Sequence, residues 1–240
     1  KVVICVPSAI TEVERRAVTD AARRAGAADA QLIEQPMAAA IGAQLPIDEP
    51  IGNMIIDIGG GTSETAVISL GGIVALEAVR VGSFDIDVAI QNYVRREHGI
   101  AIGERTAEDI KVAIGSAAVT PDEVQAEVNG RDLMQGLPKT VVLTPEEIRY
   151  AIDDTVTQIV QSVVRCLAKA PAELAQDFLG RGIHLVGGGG LLRGLAQRIE
   201  LETHVPVLMA EMPLEAVVLG AGHCIENYDQ LKRMFMGQRR

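Results

Sequence analysis

The chain has 240 residues, enough for one large domain or two modest ones with cores of their own. Hydrophobic residues make up 48% against 22% charged, which excludes disorder as the default, and no apolar run is long enough to span a bilayer. A net charge of −10 with three Phe, three Tyr and no Trp excludes the basic, aromatic-bearing surface that nucleic acid needs.

Cys5, Cys166 and Cys224 lie far apart in apolar stretches with no CxxC pair. They read as buried thiols in a reducing compartment. The four histidines have no metal-ligand spacing, no secretory signal is visible, and the chain opens at Lys1 inside an apolar strand pattern, as if part of something longer.

In chain order, "VVICVP" reads as a buried strand, and Thr11 opens a helix with Val13, Ala17, Ala21 and Ala25 on one face. "QLIE" is a second strand, and "PMAAAIGA" begins a helix with Pro36 in its first turn. Residues 45–50 form a linker. Three strands follow, "NMIIDI", "SETAVISL" and "GIVALEAVR", the last two joined by a Gly71-Gly72 turn. Helices are predicted over 85–98 and 104–116, with a choppier stretch to residue 140. A capping box at Thr144–Glu147 opens a long helix carrying Ile148, Ile152, Val156, Ile159, Val163 and Leu167 at helical spacing. After Pro171 come a short helix, the strand-glycine run "IHLVGGGG", a helix from Leu191, the strand "VPVLMA" and a helix from about Leu214. Residues 1–45 and 183–230 share the order strand–helix–strand–helix, which suggests an internal duplication.

Two glycine junctions carry the chemistry. "DIGGGT" can present the Gly59, Gly60 and Gly61 amides to a phosphate, with Asp57 placed for a hydrated Mg²⁺ and the Thr62 hydroxyl for a phosphate oxygen. A bare hairpin would need two glycines and neither flanking polar residue. "VGGGGLLRG" lets a ligand lie against Gly187, Gly188, Gly189 and Gly190 at a strand-to-helix junction. Neither is a Walker A or GxGxxG sequence. Together they suggest a nucleotide in a cleft.

These loops, with "CVPSAITEVERRAV", "IEQPMAAAIGA", "YVRREHG", "GERTAEDIK", "GLPKT" and "AVVLGAGHC", resemble the MreB and Mbl family of bacterial actins, over nearly the whole chain. The resemblance implies an α/β actin-like ATPase (ribonuclease H-like) fold with the second lobe complete and the first truncated. Residues 1–46 would be a remnant of the first lobe and 47–81 with 141–220 the second-lobe core. Residues 82–140 would form an inserted small subdomain and 221–240 a C-terminal helix and tail. It also implies ATP or ADP with Mg²⁺: Asp57 near the metal, Gly59 to Thr62 as the second phosphate loop, Glu108 and Lys111 at ribose and base, and Gly187 to Gly190 on the adenosine side. On the residues alone, Glu108 and Lys111 read as a surface ion pair. Gln35 stands where the family has a catalytic glutamate; an amide orients water but takes no proton. The family's first phosphate loop is absent, and Phe84 replaces a common acid.

The implied function is an ATP-binding cytoskeletal protein that polymerises on the cytoplasmic membrane face and directs cell-wall synthesis to maintain shape, with itself, MreC, MreD and RodZ as partners. A non-hydrolysing scaffold is the alternative that Gln35 favours; a chaperone-type ATPase is a third. The tail "YDQLKRMFMGQRR" either packs on its own lobe or lies on an anionic membrane, and the first reading is preferred.

Overall fold

The computed structural model describes residues 1–236. Strands β1 (Val2–Val6) and β2 (Ala30–Glu34) pair in parallel around helix α1 (Glu12–Arg24), which the Thr11–Glu14 capping box starts. Helix α2 (Gln35–Gly42) follows β2 directly, and Pro36 to Ile41 are all buried. A helix so apolar on every side belongs between layers.

The predicted meander is β3 (Asn53–Ile58), β4 (Ser63–Ser69) and β5 (Gly72–Val79), antiparallel throughout. Next come α3 (Ser83–Glu97), β6 (Ile100–Ala101), α4 (Glu104–Ile114), β7 (Ala126–Asp132) and β8 (Pro138–Leu143), the three strands forming their own sheet. Helix α5 (Pro145–Lys169) is opened by the Thr144–Glu147 capping box, and its Ile148, Ile152, Val156, Ile159 and Val163 are buried as their spacing predicts. The chain continues through α6 (Ala175–Arg181), β9 (Ile183–Val186), α7 (Leu195–Thr203), β10 (Val207–Met209), α8 (Ala216–Glu226) and α9 (Tyr228–Leu231).

The main sheet has the order β10-β9-β3-β4-β5, parallel on the β9 side and antiparallel in the meander. Met54, Ile56 and Ile58 of β3 face one core with α3 and α5, while Ile55 faces a second core with α2 and α8. Burial on both faces accounts for the unbroken apolar run in "NMIIDI".

Helices α2 and α8 meet at backbone distance, and reciprocally. A Cβ added to Gly42 would fall 1.8 Å from Ala216 O, and one added to Gly220 would fall 1.8 Å from Ala38 O. This two-fold-like exchange is the geometry expected of a duplicated strand–helix unit.

One boundary differs from the sequence expectation. The helix expected from Leu191 starts at Leu195, after a 3-10 turn over Gly188–Leu191, because Gly194 adopts left-handed backbone (φ +72°) that no helix interior accepts. At the C-terminus, Met234 and Phe235 are fully buried in the second core. The Tyr228 hydroxyl donates to Asp29 (2.6 Å), and Met236 N donates to Leu32 O (2.8 Å). The segment packs on its own chain, so Met234 and Phe235 present no membrane face; the Arg239 and Arg240 invoked for that alternative lie outside the described residues. Among the described residues no helix is long and apolar enough to cross a membrane.

Candidate functional site

The loop Gly59–Thr62 joins β3 to β4 and is closed by Gly59 N–H donating to Thr62 O at 2.9 Å. None of its glycines has positive φ, so the turn does not demand them for conformation. At Gly60 the approach of another group does, for a Cβ there would lie 2.5 Å from the Phe84 ring. Ser83 and Phe84 amides donate to Gly59 O (2.9 Å) and Gly60 O (2.8 Å), fastening the start of α3 to the loop. Gly61 has open space beside it, and the amides of Gly60 and Gly61 have no acceptor among the described residues. Free amides in a loop of this kind are donors for an anion.

Across the cleft, Gly187 is packed tightly. Its φ is +83°, and a Cβ would fall 2.3 Å from Ile58 O and 2.6 Å from Asp57 Oδ1. Gly190 packs on Leu185 in the same way. Gly187 and Gly189 press the turn against β3, a Cβ at Gly189 falling 2.3 Å from the Ile58 side chain, while Gly188 and Gly189 line the cleft.

A cavity of about 450 Å³ gathers Gly59, Gly60, Glu108, Lys111, Gly188 and Gly189 from three separated stretches of chain. Ile86, Val112, Leu191, Leu192 and Leu214 supply its apolar walls. Apolar walls with a few convergent polar groups are the usual form of a small-molecule site. Gly61 and Thr62 do not line it. They border a separate hollow of about 510 Å³ with Pro7, Ile10, Glu64 and Arg80. Gln35, the first residue of α2, lines neither.

Glu108 and Lys111 do not pair with each other as a surface ion pair. The Lys111 ammonium lies 2.7 Å from Ser83 Oγ and 2.9 Å from the Asp87 carboxylate. Burial pushes the Asp87 carboxyl up, and Lys111 pulls against it. Asp87 was not singled out by sequence; it sits on α3, one turn after Ser83, and only tertiary packing brings α4 to it. Phe84 is 66% exposed at the cavity's edge, a large aromatic in a chain with few.

Asp57 and Glu64 stand opposite each other in the β3–β4 register, so their side chains share a face. Burial pushes Asp57 up to about 6. Glu64 is raised too, first by burial and then by Asp57 and Glu34, against the pull of Ser8. Ser8 N (3.0 Å) and Ser8 Oγ (2.9 Å) donate to Glu64, tying the loop after β1 to the main sheet. No group of three or more His, Cys, Asp or Glu among the described residues is arranged to hold a metal alone. The Asp57 carboxylate, mostly desolvated and accepting no hydrogen bond among the described residues, fits a hydrated divalent cation that takes its other ligands from phosphate. Cys166 and Cys224 are buried as expected and Cys5 is half-buried; Cys5 and Cys224 are pushed up to about 11 and Cys166 to about 12, chiefly by desolvation.

Solved structures share this architecture. The crystal structure of MreB5 of Spiroplasma citri bound to ADP superposes with a TM-score of 0.91 at 36% identity, over 95% of this chain and 69% of that one. The same protein bound to AMPPNP gives 0.91 as well. A MamK double helical filament, 19% identical, shares the fold with a TM-score of 0.78. The chain therefore has the actin-like ATPase fold. The family model described as MreB/Mbl protein matches residues 1–233. The cell shape-determining protein MreB of Escherichia coli strain K12 is 49% identical over 229 residues, covering 95% of this chain. Mbl of Bacillus subtilis strain 168, also named cell shape-determining, is 43% identical over 97% of this chain. The chain belongs to the MreB/Mbl family. It spans 66% and 70% of the lengths of those two relatives.

Proposed function

We propose that this chain binds an adenine nucleotide in the cleft between the Gly59–Thr62 loop, α4 and the Gly188–Leu191 turn, as part of a filament-forming protein that sets cell shape. The observation that carries the reading is the convergence of Gly59–Gly60, Glu108–Lys111 and Gly188–Gly189 on one cavity. Relatives of the same fold bound to ADP and AMPPNP support it.

In this reading the free amides of Gly60 and Gly61 receive phosphate oxygens, with Thr62 beside them. Gly188 and Gly189 give the flat, side-chain-free wall against which an adenosine slides, and Glu108 takes the ribose hydroxyls. Lys111 holds Ser83 and Asp87, so its contribution is to brace α4 against α3 as well as to face the nucleotide. Asp57 would hold Mg²⁺ through water, and the cation would supply charge neutralisation at the phosphates. Gln35 would orient the attacking water and Thr62 would assist it; with an amide at position 35, proton uptake passes to water and the turnover is slow. Filament self-association, a cytoplasmic location at the membrane surface, and the partners MreC, MreD and RodZ belong to the same proposal.

A non-hydrolysing scaffold is the second reading, and Gln35 is the residue that favours it. Calorimetric titration with Mg-ATP and Mg-ADP, followed by phosphate release, separates the two. Binding with slow turnover supports the ATPase; binding with no release over hours supports the scaffold. Absence of binding by either nucleotide overturns the proposal.

A further inference from the structure

We propose that Arg193 is a positioning residue for the nucleotide: it clamps the end of α4 to the glycine turn and thereby sets the width of the nucleoside half of the cleft. The inference rests on the nucleotide reading above and goes beyond it: Arg193 also lines the cavity, but that reading assigns it no phosphate, metal or ribose contact.

The clamp is made from both ends of one residue. Helix α4 ends at Ile114, and its final carbonyls have no partner within the helix. The Arg193 guanidinium supplies one, donating from Nη2 to Val112 O at 3.0 Å and also to Ala113 O. A cation at this end also complements the helix dipole. The backbone of Arg193 answers in the other direction. Its carbonyl accepts from Ala117 N at 2.7 Å and from Ser116 Oγ at 3.2 Å, and Ser116 and Arg193 form a parallel β-bridge. Gly194 makes the approach possible: with φ +72°, its missing Cβ would sit 2.6 Å from Ala118 N.

The two walls joined in this way are the walls of the cavity. Lys111, Val112 and Gly115 stand on one side and Gly188, Gly189 and Leu191 on the other. Without the clamp α4 is held chiefly through α3, and the slot must be closed by the ligand itself, which weakens binding. The phosphate loop is fastened separately, through the Ser83 and Phe84 amides. Loss of Arg193 therefore falls on the nucleoside and spares the phosphates. Lysine is a poor substitute, since its ammonium is more strongly hydrated and rides on a flexible stem, whereas the guanidinium is pre-organised and more weakly hydrated.

The test uses the full chain, with Mg-ADP and inorganic tripolyphosphate as probes in calorimetric titration, and hydrogen exchange over α4. Arg193→Met is expected to weaken Mg-ADP about tenfold, to leave tripolyphosphate affinity within about twofold, and to speed exchange in the last turn of α4. Arg193→Lys is expected to fall between wild type and Arg193→Met. Gly194→Ala reaches the same joint through the backbone and is expected to reproduce the nucleoside-selective loss. Unchanged Mg-ADP affinity in Arg193→Met overturns the inference, as does an equal loss for both probes. Wild type that binds neither probe sinks the nucleotide reading and the positioning role with it. Exchange in α4 would still report whether the clamp exists.

Discussion

Substituting Gly220 by alanine sets two known effects against each other at one atom. Glycine inside a helix is the poorer former, so alanine returns about 1 kcal/mol of helix preference. The new Cβ, however, falls 1.8 Å from the Ala38 carbonyl oxygen of the facing helix. A carbon–oxygen contact settles at roughly 3.3 Å, so α2 and α8 must part by about 1.5 Å at their crossing. The obstacle is backbone and has no rotamer to yield. Separations of about 0.5–1 Å already forfeit a quarter to a half of the dispersion across a packed face. We take the upper end of the overpacking range, about 3 kcal/mol or somewhat more, and a net loss of about 2–3 kcal/mol after the propensity gain. For a chain of this size that corresponds to a melting-point fall of about 5–10 °C. Gly42→Ala is expected to cost as much by reciprocity, and the double variant little more than either single one, since one separation relieves both clashes. Gly222 is the internal control: it lies on the same helix with nothing within 4 Å of its added Cβ, so Gly222→Ala is expected to stabilise. Urea and thermal unfolding followed by circular dichroism measure all four. A Gly220→Ala protein as stable as Gly222→Ala would refute the close-crossing argument.

The remaining expectations concern the cleft. Burial raises Asp57 from 3.8 to about 6, so the folded chain keeps this proton after the unfolded chain has lost it. Stability contributed here is greatest below pH 4, declines as pH rises to about 6, and the cost persists above. Metal-free Asp57→Asn is therefore expected to be more stable than wild type by about 3 kcal/mol at pH 7 and indistinguishable near pH 3.5; urea unfolding at both pH values checks the sign. Lys111→Met strands the buried Asp87 carboxylate and is expected to cost about 3 kcal/mol, whereas Glu108→Gln is expected to weaken nucleotide affinity with unfolding unchanged. Equal stabilities for the two variants would remove the bracing role given to Lys111. Gln35→Glu supplies a group able to take a proton and is expected to raise phosphate release by about a hundredfold; an unchanged rate would mean that position 35 does not face the attacking water.

Much of the fold was legible because local rules and burial agreed. The apolar run of β3, the glycine break, Thr11 as a helix opener and the capping box at Thr144 each announce an element boundary through short-range chemistry. The long stripe of α5 shows its buried face directly. What could not be read depends on contacts distant in sequence. Ser8 bonds to Glu64 across 56 positions, and Lys111 reaches Asp87 across 24. Neither spacing carries a local signal. The 3-10 turn at Gly188–Leu191 was hidden because "GLLRGLAQRIELET" is helical in composition, and only the positive φ of Gly194 breaks it. The four glycines from Gly187 look equivalent in sequence, yet Gly187 and Gly189 pack on Ile58 of β3 and Gly190 on Leu185 of β9, while Gly188 and Gly189 line the cavity. Phe84 was noticeable as an unusual residue, but its place against Gly60 follows from the start of α3 being fastened to the loop.

The most direct test of the central claim is backbone amide chemical-shift mapping of the chain during titration with Mg-ADP. Saturable shifts are expected in three segments at once, Gly59–Thr62, Glu108–Gly115 and Gly187–Leu191, with the Phe84 amide moving alongside them. Shifts confined to the hollow around Ile10 and Arg80, or no saturable shift at all, would contradict the account.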